Sequence, residues 1–183
     1  MAALVCYRDQ DNAERAACAV FSVTPDGKLS KGTSYAVSSS HFHSLSAAGL
    51  SAEGAVVCFR DFSQRPPQSV CKELSVSGSS LAAAQQVQVK AGRTSLARLS
   101  ETIALVCSSD THHTHQTSCA VLNTGSQAMT KGPDLVVSTM NTGSFYTAAG
   151  LSAESGLVCY EDRTYAKEHK GACVRLAIAP ASA

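Results

Sequence analysis

The chain has 183 residues, 44% of them hydrophobic and 16% charged, with a net charge of +1. A charge this balanced, with no run of Lys or Arg, excludes a nucleic-acid binder working through a basic face and a peripheral binder of anionic membranes. No stretch approaches the roughly 18 apolar residues of a membrane-spanning helix. Aromatics are 5% and Trp is absent, so the core has to be built from Ala, Val and Leu in thin layers.

Met1 leads almost directly into the strand-like Ala3-Leu4-Val5-Cys6-Tyr7, with no signal-peptide pattern before it. A polar loop, Asp9 to Glu14, follows. A second apolar segment runs Cys18-Ala19-Val20-Phe21-Ser22-Val23 and ends at the turn Pro25-Asp26-Gly27. Tyr35-Ala36-Val37 and His43 to Leu50 are the next strands. The turn Glu53-Gly54 then suits a short hairpin into Val56-Val57-Cys58-Phe59. The same four strands recur as 56–59, Cys71 to Val76, Val87-Gln88-Val89 and Thr94 to Leu99. They recur again from Leu105, through Cys119 to Thr124 and Leu135-Val136-Val137, to Phe145–Leu151. A final pair, from Leu157 and from Cys173 to Ile178, begins a fourth unit. Helical periodicity is poor throughout. The best helix candidate, Ser79 to Gln86, lies where the other units place a turn and a strand start, and is discounted.

The unit is therefore about fifty residues long, a period typical of repeat architectures. Leu4-Val5-Cys6-Tyr7-Arg8-Asp9 aligns with Val56 to Asp61, Leu105 to Asp110 and Leu157 to Asp162; the cysteines at 6, 58, 107 and 159 are 52, 49 and 52 residues apart. Leu50-Ser51, Leu99-Ser100 and Leu151-Ser152 are in phase with them. Ala47-Ala48-Gly49-Leu50-Ser51-Ala52-Glu53 returns unchanged at Ala148 to Glu154. Four-stranded antiparallel units at this period predict an all-β chain of β-propeller type, with three and a half repeats and fourteen strands; a β-trefoil is the alternative. The units are 3–54, 55–103, 104–155 and the incomplete 156–183, within one repeat domain. Three and a half copies leave unfinished sheet edges, which predicts a protein partner or self-association covering them.

Each first cysteine is followed by a second: Cys6 by Cys18, Cys58 by Cys71, Cys107 by Cys119 and Cys159 by Cys173. Residues facing each other in a hairpin keep a constant index sum, and each pair centres inside its polar loop. The partners therefore oppose each other on adjacent strands, where β-carbons can approach to disulfide distance. Four such bridges, each worth about 3 kcal/mol at most, would compensate for a core poor in aromatics. They require an oxidising compartment, secreted or an organelle lumen, with a leader outside this sequence. If the thiols stay reduced, as buried hydrophobes in a cytosol, the location is cytoplasmic. Zinc is disfavoured because the spacings exceed those of Cys-x2–4-Cys knuckles.

Other chemistry is sparse. Histidines gather at His41, His43, His112, His113 and His115, with His169 in the last loop. His112, His113 and His115 are weak metal candidates, since their loop is not repeated elsewhere. Asp9, Asp61, Asp110 and Asp162 recur just after a strand, where an Asp bonds backbone N–H groups to start a turn. No phosphate-binding loop, Gly-x-Ser-x-Gly elbow or His-Glu-x-x-His is present, so no catalytic residue and no cofactor are assigned.

The unit Leu-Val-Cys-Tyr-x-Asp, Cys-x-x-Leu-Ser-Val, Gly-x-x-Leu, Val-Val and Leu-Ser resembles long tandem-repeat proteins of marine microalgae. The resemblance covers essentially the whole chain. It implies a propeller-like repeat architecture and no chemistry. His43-Ser44-Leu45-Ser46-Ala47 is also faintly similar to the inner strand of chromosome-condensation-regulator propellers. Their Trp-Gly element is missing, so no nucleotide-exchange role carries over. The algal resemblance implies an extracellular setting or a photosynthetic (thylakoid) lumen, and a non-enzymatic accessory subunit of a larger assembly. A carbohydrate- or metal-binding, lectin-like propeller is the alternative function, with the absence of Trp against it.

Overall fold

Short alternating segments closed by Gly, Pro and Asp turns fold as strands here, and no element among the described residues is helical. The computed structural model describes residues 2–63, 65–109, 116–125, 128–138, 142–163 and 170–178. The strands form four antiparallel meanders. The first contains β1 (Ala2–Asp9), β2 (Arg15–Val23), β3 (Leu29–Lys31) and the start of β4 (Tyr35–Gly49). The second contains the rest of β4, then β5 (Gly54–Asp61), β6 (Gln68–Ser77) and β7 (Ser80–Val89). The third contains β8 (Arg93–Arg98), β9 (Ile103–Ser109) and β10 (Thr117–Asn123), with β11 (Thr130–Lys131) and β12 (Leu135–Ser138) both on the far side of β10. The fourth contains β13 (Thr142–Ser152), β14 (Ser155–Asp162) and β15 (Lys170–Ala177). Because β4 serves two meanders, the first two are one continuous seven-stranded sheet; no sheet closes into a barrel.

Among the described residues there are fifteen strands, against the expected fourteen. In the first unit the two strands expected over 35–37 and 43–50 are one, with the pairing to β2 shifting register between Ala36 and His41. This strand, β4, bends at Ser44, which has φ of 54°, and the pairing register with β5 shifts between His43 and Ser46. Where the sequence offered a helix, Ser79 to Gln86, β7 runs extended against β6. The hairpins at 50–54, 99–103 and 152–155 also shift the structural grouping. The second, third and fourth meanders each join the last strand of one sequence unit to the first strands of the next.

Side-chain alternation turns the Leu-Val-Cys motif into two contact faces. In β5, Val56 and Cys58 point to the third meander while Ala55, Val57 and Phe59 point to the first. In β9, Leu105 and Cys107 face the fourth meander, and Ala104 and Val106 the second. Three apolar layers result, one between each successive pair of meanders. The strands β4, β8 and β13 are also tied to each other by hydroxyls. Ser44 Oγ accepts from Thr94 N–H (2.9 Å), Ser46 Oγ from Leu96 N–H (2.9 Å) and Ser95 Oγ from Ala148 N–H (3.0 Å). Behind them, the buried Ser69 donates to Gly92 O (2.7 Å) and accepts from Gly92 N–H (3.0 Å), which fixes the β7–β8 turn.

Candidate interaction surfaces

The four cysteine pairs are the fixed points from which the surfaces can be placed. Cys6–Cys18, Cys58–Cys71, Cys107–Cys119 and Cys159–Cys173 are bridged, each across directly opposed residues of a hairpin. These are the pairs that the hairpin register predicts, and four disulfides indicate an oxidising or secreted environment. Cys58–Cys71 and Cys107–Cys119 are sealed beneath the following meander. Cys159–Cys173 occupies the same position in the fourth meander, but there Cys159 is half-buried and Cys173 exposed.

The residues around that bridge behave in the same way. Leu50 and Leu99 are 1% and 8% exposed inside the stack, and their counterpart Leu151 is 55% exposed. Cys159 pairs with Thr147 on β13 and Leu157 pairs with Ala149, so Thr147, Ala149, Leu157 and the disulfide share this open face. Thr147 holds the position of Ser46 and Ser95 in the hydroxyl series and is exposed. At the opposite end, Val57, Val106 and Val158 are 0%, 2% and 0% exposed, whereas Val5, the same motif position, is 41% exposed. Val5 pairs with Ala19, and Tyr7 with Ala17. Lys31 crosses the Tyr7 ring at 4.9 Å, with its Nζ donating to the phenol oxygen at 3.0 Å. A hydrogen bond with Ser34 (2.7 Å) chiefly, and the Lys31 bond after it, hold the Tyr7 phenol below its ordinary pKa.

A groove of about 460 Å³ runs between β10, β12 and β15, lined by Ile103, Val121, Leu135, Leu176, Ala177 and Ile178 among others. Among the described residues β15 pairs only with β14, whereas the corresponding strands β6 and β10 each carry a further strand on their other side. Leu135 at the groove is more than half exposed. A second cavity of about 770 Å³ lies beside β8, β13 and β14, with Ser44, Arg93, Tyr146, Thr147, Glu161 and Lys170 in its wall. Burial pushes the Tyr146 phenol far above its ordinary pKa, which keeps it neutral.

Of the histidines, His41 and His43 come together. Their Nε2 atoms are 3.1 Å apart, and both rings pack on Phe62. Arg8 donates to Glu14 (2.5 Å), and His41 Nδ1 stands 3.1 Å from Glu14 and 3.2 Å from the Arg8 guanidinium, so it donates to Glu14 in one tautomer and accepts from Arg8 in the other. Burial lowers the His43 pKa first, and the charges of His41, Arg8, Arg60 and Arg93 lower it further. A positive surrounding of this kind opposes a bound cation. No group of three or more potential metal-ligating side chains occurs among the described residues. His112, His113, His115, His169 and Asp110 lie outside the described residues. Asp61 accepts from Ser63 N–H (2.8 Å) and from Ser40 Oγ (3.1 Å), a turn-starting role. Asp9 and Asp162 sit at the ends of β1 and β14, opposite Arg15 and Lys170.

The open faces were missed in the sequence because every copy of the motif looks alike; only packing distinguishes Val5 from Val57. The hydroxyl series had a visible signal, since Ser46, Ser95 and Thr147 each precede a Leu-Ser pair by four residues.

No family model and no curated protein matches the chain. Among solved structures, it is similar to the crystal structure of a protein of unknown function from Dyadobacter fermentans, with a TM-score of 0.66 and 18% identity. The likeness covers 97% of this chain and 50% of that one, so this chain spans about half the length of its structural relative. It shows a shared all-β fold.

Proposed function

We propose that the chain is a non-enzymatic structural and protein-interaction module, an accessory component of a larger assembly in an oxidising compartment. In this reading the four meanders are blades of a propeller-like repeat array. The observation that carries it is the contrast at equivalent positions: Leu50 and Leu99 are buried and Leu151 exposed, and Val57, Val106 and Val158 are buried and Val5 exposed. Exposed apolar surface continuous with a packed interface is what docking sites offer. The likeness supports this, because in the bacterial protein the corresponding sheets lie within a chain about twice as long. The β15 edge and its apolar groove provide a further place where an extended strand adds to the sheet. A photosynthetic lumen is one such compartment, by the algal resemblance.

The test is the mass of the native particle. Gentle extraction followed by sizing and cross-linking mass spectrometry should place the protein in a particle well above 19.0 kDa, with cross-links at the first and fourth meanders. A native mass equal to one chain overturns this reading.

A further inference from the structure

The three interior contacts between meanders are the same contact made three times. One side presents the first and third residues of the Leu-Val-Cys motif: Leu4 and Cys6, Val56 and Cys58, Leu105 and Cys107. Leu50 and Leu99 stand beside the second and third of these pairs. The other side presents the middle valine, Val57, Val106 or Val158. Two residues before that valine stands a small residue, Ala55, Ala104 or Gly156. The small residue matters. Within the stack, the Leu105 and Leu99 side chains lie 2.7 and 3.8 Å from where a Cβ on Gly156 would stand, so the leucine side of one meander seats on this spot.

Both halves of this contact are open on the molecule. The fourth meander presents Leu151 and Cys173 exposed, and Leu157 and Cys159 half-buried. The first meander presents Val5, preceded at the proper spacing by Ala3 and with Val23 further along the neighbouring strand, while the paired Ala17 and Ala19 are buried beneath them. Ala3, Val5 and Val23 are exposed. A face that recurs buried against its complement three times has its complement at the other end of the same molecule.

We infer that the open face of the β13–β15 meander receives the β1–β2 meander of a second copy of this chain, head to tail, with Leu151 and Leu157 seated over Ala3 and Val5. The contact is heterologous: two different patches meet, so each dimer keeps one free face of each kind. This deepens the reading of the chain as an assembly module and rests on it.

Two surface substitutions test the inference. Val5→Lys blocks the first-meander face and Leu151→Lys the fourth-meander face; both side chains are exposed, so the fold and the four disulfides should persist by circular dichroism and non-reducing mass mapping. In sedimentation equilibrium the unmodified chain should gain mass with concentration, and each variant alone should remain at one chain mass. An equimolar mixture of the two variants should form a 1:1 dimer and nothing larger, because the mixture holds one working face of each kind. Val23→Lys serves as a second block of the first-meander face. The inference is overturned if the unmodified chain stays monomeric at every concentration. It also fails if either variant alone still associates, or if the mixture does not dimerise. A monomeric pure chain found in a large native particle sinks the second-copy inference and leaves the assembly reading standing; a native mass of one chain sinks both.

Discussion

The clearest prediction compares one substitution at two equivalent positions. Leu50 and Leu151 lie in identical heptapeptides, so local sequence is the same and only tertiary burial differs. Leu50→Ala removes three carbons from the layer formed by Val56, Cys58, Leu96, Ala104, Val106 and Leu122. At ~0.8 kcal/mol per buried methylene that is about 2.4 kcal/mol. The cavity left between two sheets held by disulfides adds about 1 kcal/mol. The expected loss is therefore about 3 kcal/mol, or a fall in Tm of roughly 6–12 °C for a chain of this size. Leu151→Ala trims a side chain already more than half in water, and should cost about 0.5 kcal/mol or less. Urea titration of the oxidised protein, with the slope unchanged between variants, measures both. The comparison is made at a concentration where the unmodified chain is monomeric. Equal losses at the two positions would refute the packing argument, because they would mean that the face carrying Leu151 is as covered as the one carrying Leu50.

The disulfides should separate by burial: graded reductant followed by thiol alkylation and mass mapping should open Cys159–Cys173 before Cys58–Cys71 or Cys107–Cys119, and simultaneous opening of all four would contradict the burial order. Replacing both Cys58 and Cys71 by Ala should cost about 3 kcal/mol from loop entropy alone, read by the same urea titration; no change would rule out that contribution. Gly150→Ala should destabilise strongly, because its Cβ would stand 1.8 Å from the Arg98 carbonyl oxygen, while Gly49→Ala, at the equivalent position with open space around it, should be close to neutral. Thermal melts of the two decide. In a spectrophotometric tyrosine titration, Tyr7 should ionise below the ordinary tyrosine range and Tyr146 above it, each assigned by its Phe variant. The raised Tyr146 pKa carries a stability consequence: the unfolded phenol gives up its proton near pH 10, so the contribution is full below that and is lost as pH climbs toward the folded pKa. A Tyr146→Phe variant with unchanged alkaline stability would remove that assignment.

Much of this architecture could be read from the chain alone. Period-2 alternation with Gly and Asp turns dictated strands, because a side-chain period of two suits only an extended backbone with one face in each layer. The index sum of each cysteine pair gave the disulfides, since hairpin register is local arithmetic. The bend of β4 at Ser44 was not legible, because a lone serine between His43 and Leu45 carries no local signal for a left-handed backbone, and the register shift against β5 is set by the neighbouring strand. The pairing of His41 with His43 was half legible: alternation places residues two apart on one face, but Glu14 and Phe62 arrive from loops and the arginines from other strands. The deepest division lies within the Leu-Val-Cys motif itself. Its four copies carry the same apolar pattern, and the chain determined by itself that each would present two apolar faces. Which copies bury both faces, and which leave one to water, depends on whether another sheet stands alongside; only the tertiary structure decides that, because burial belongs to the pair of surfaces in contact and not to either sequence segment.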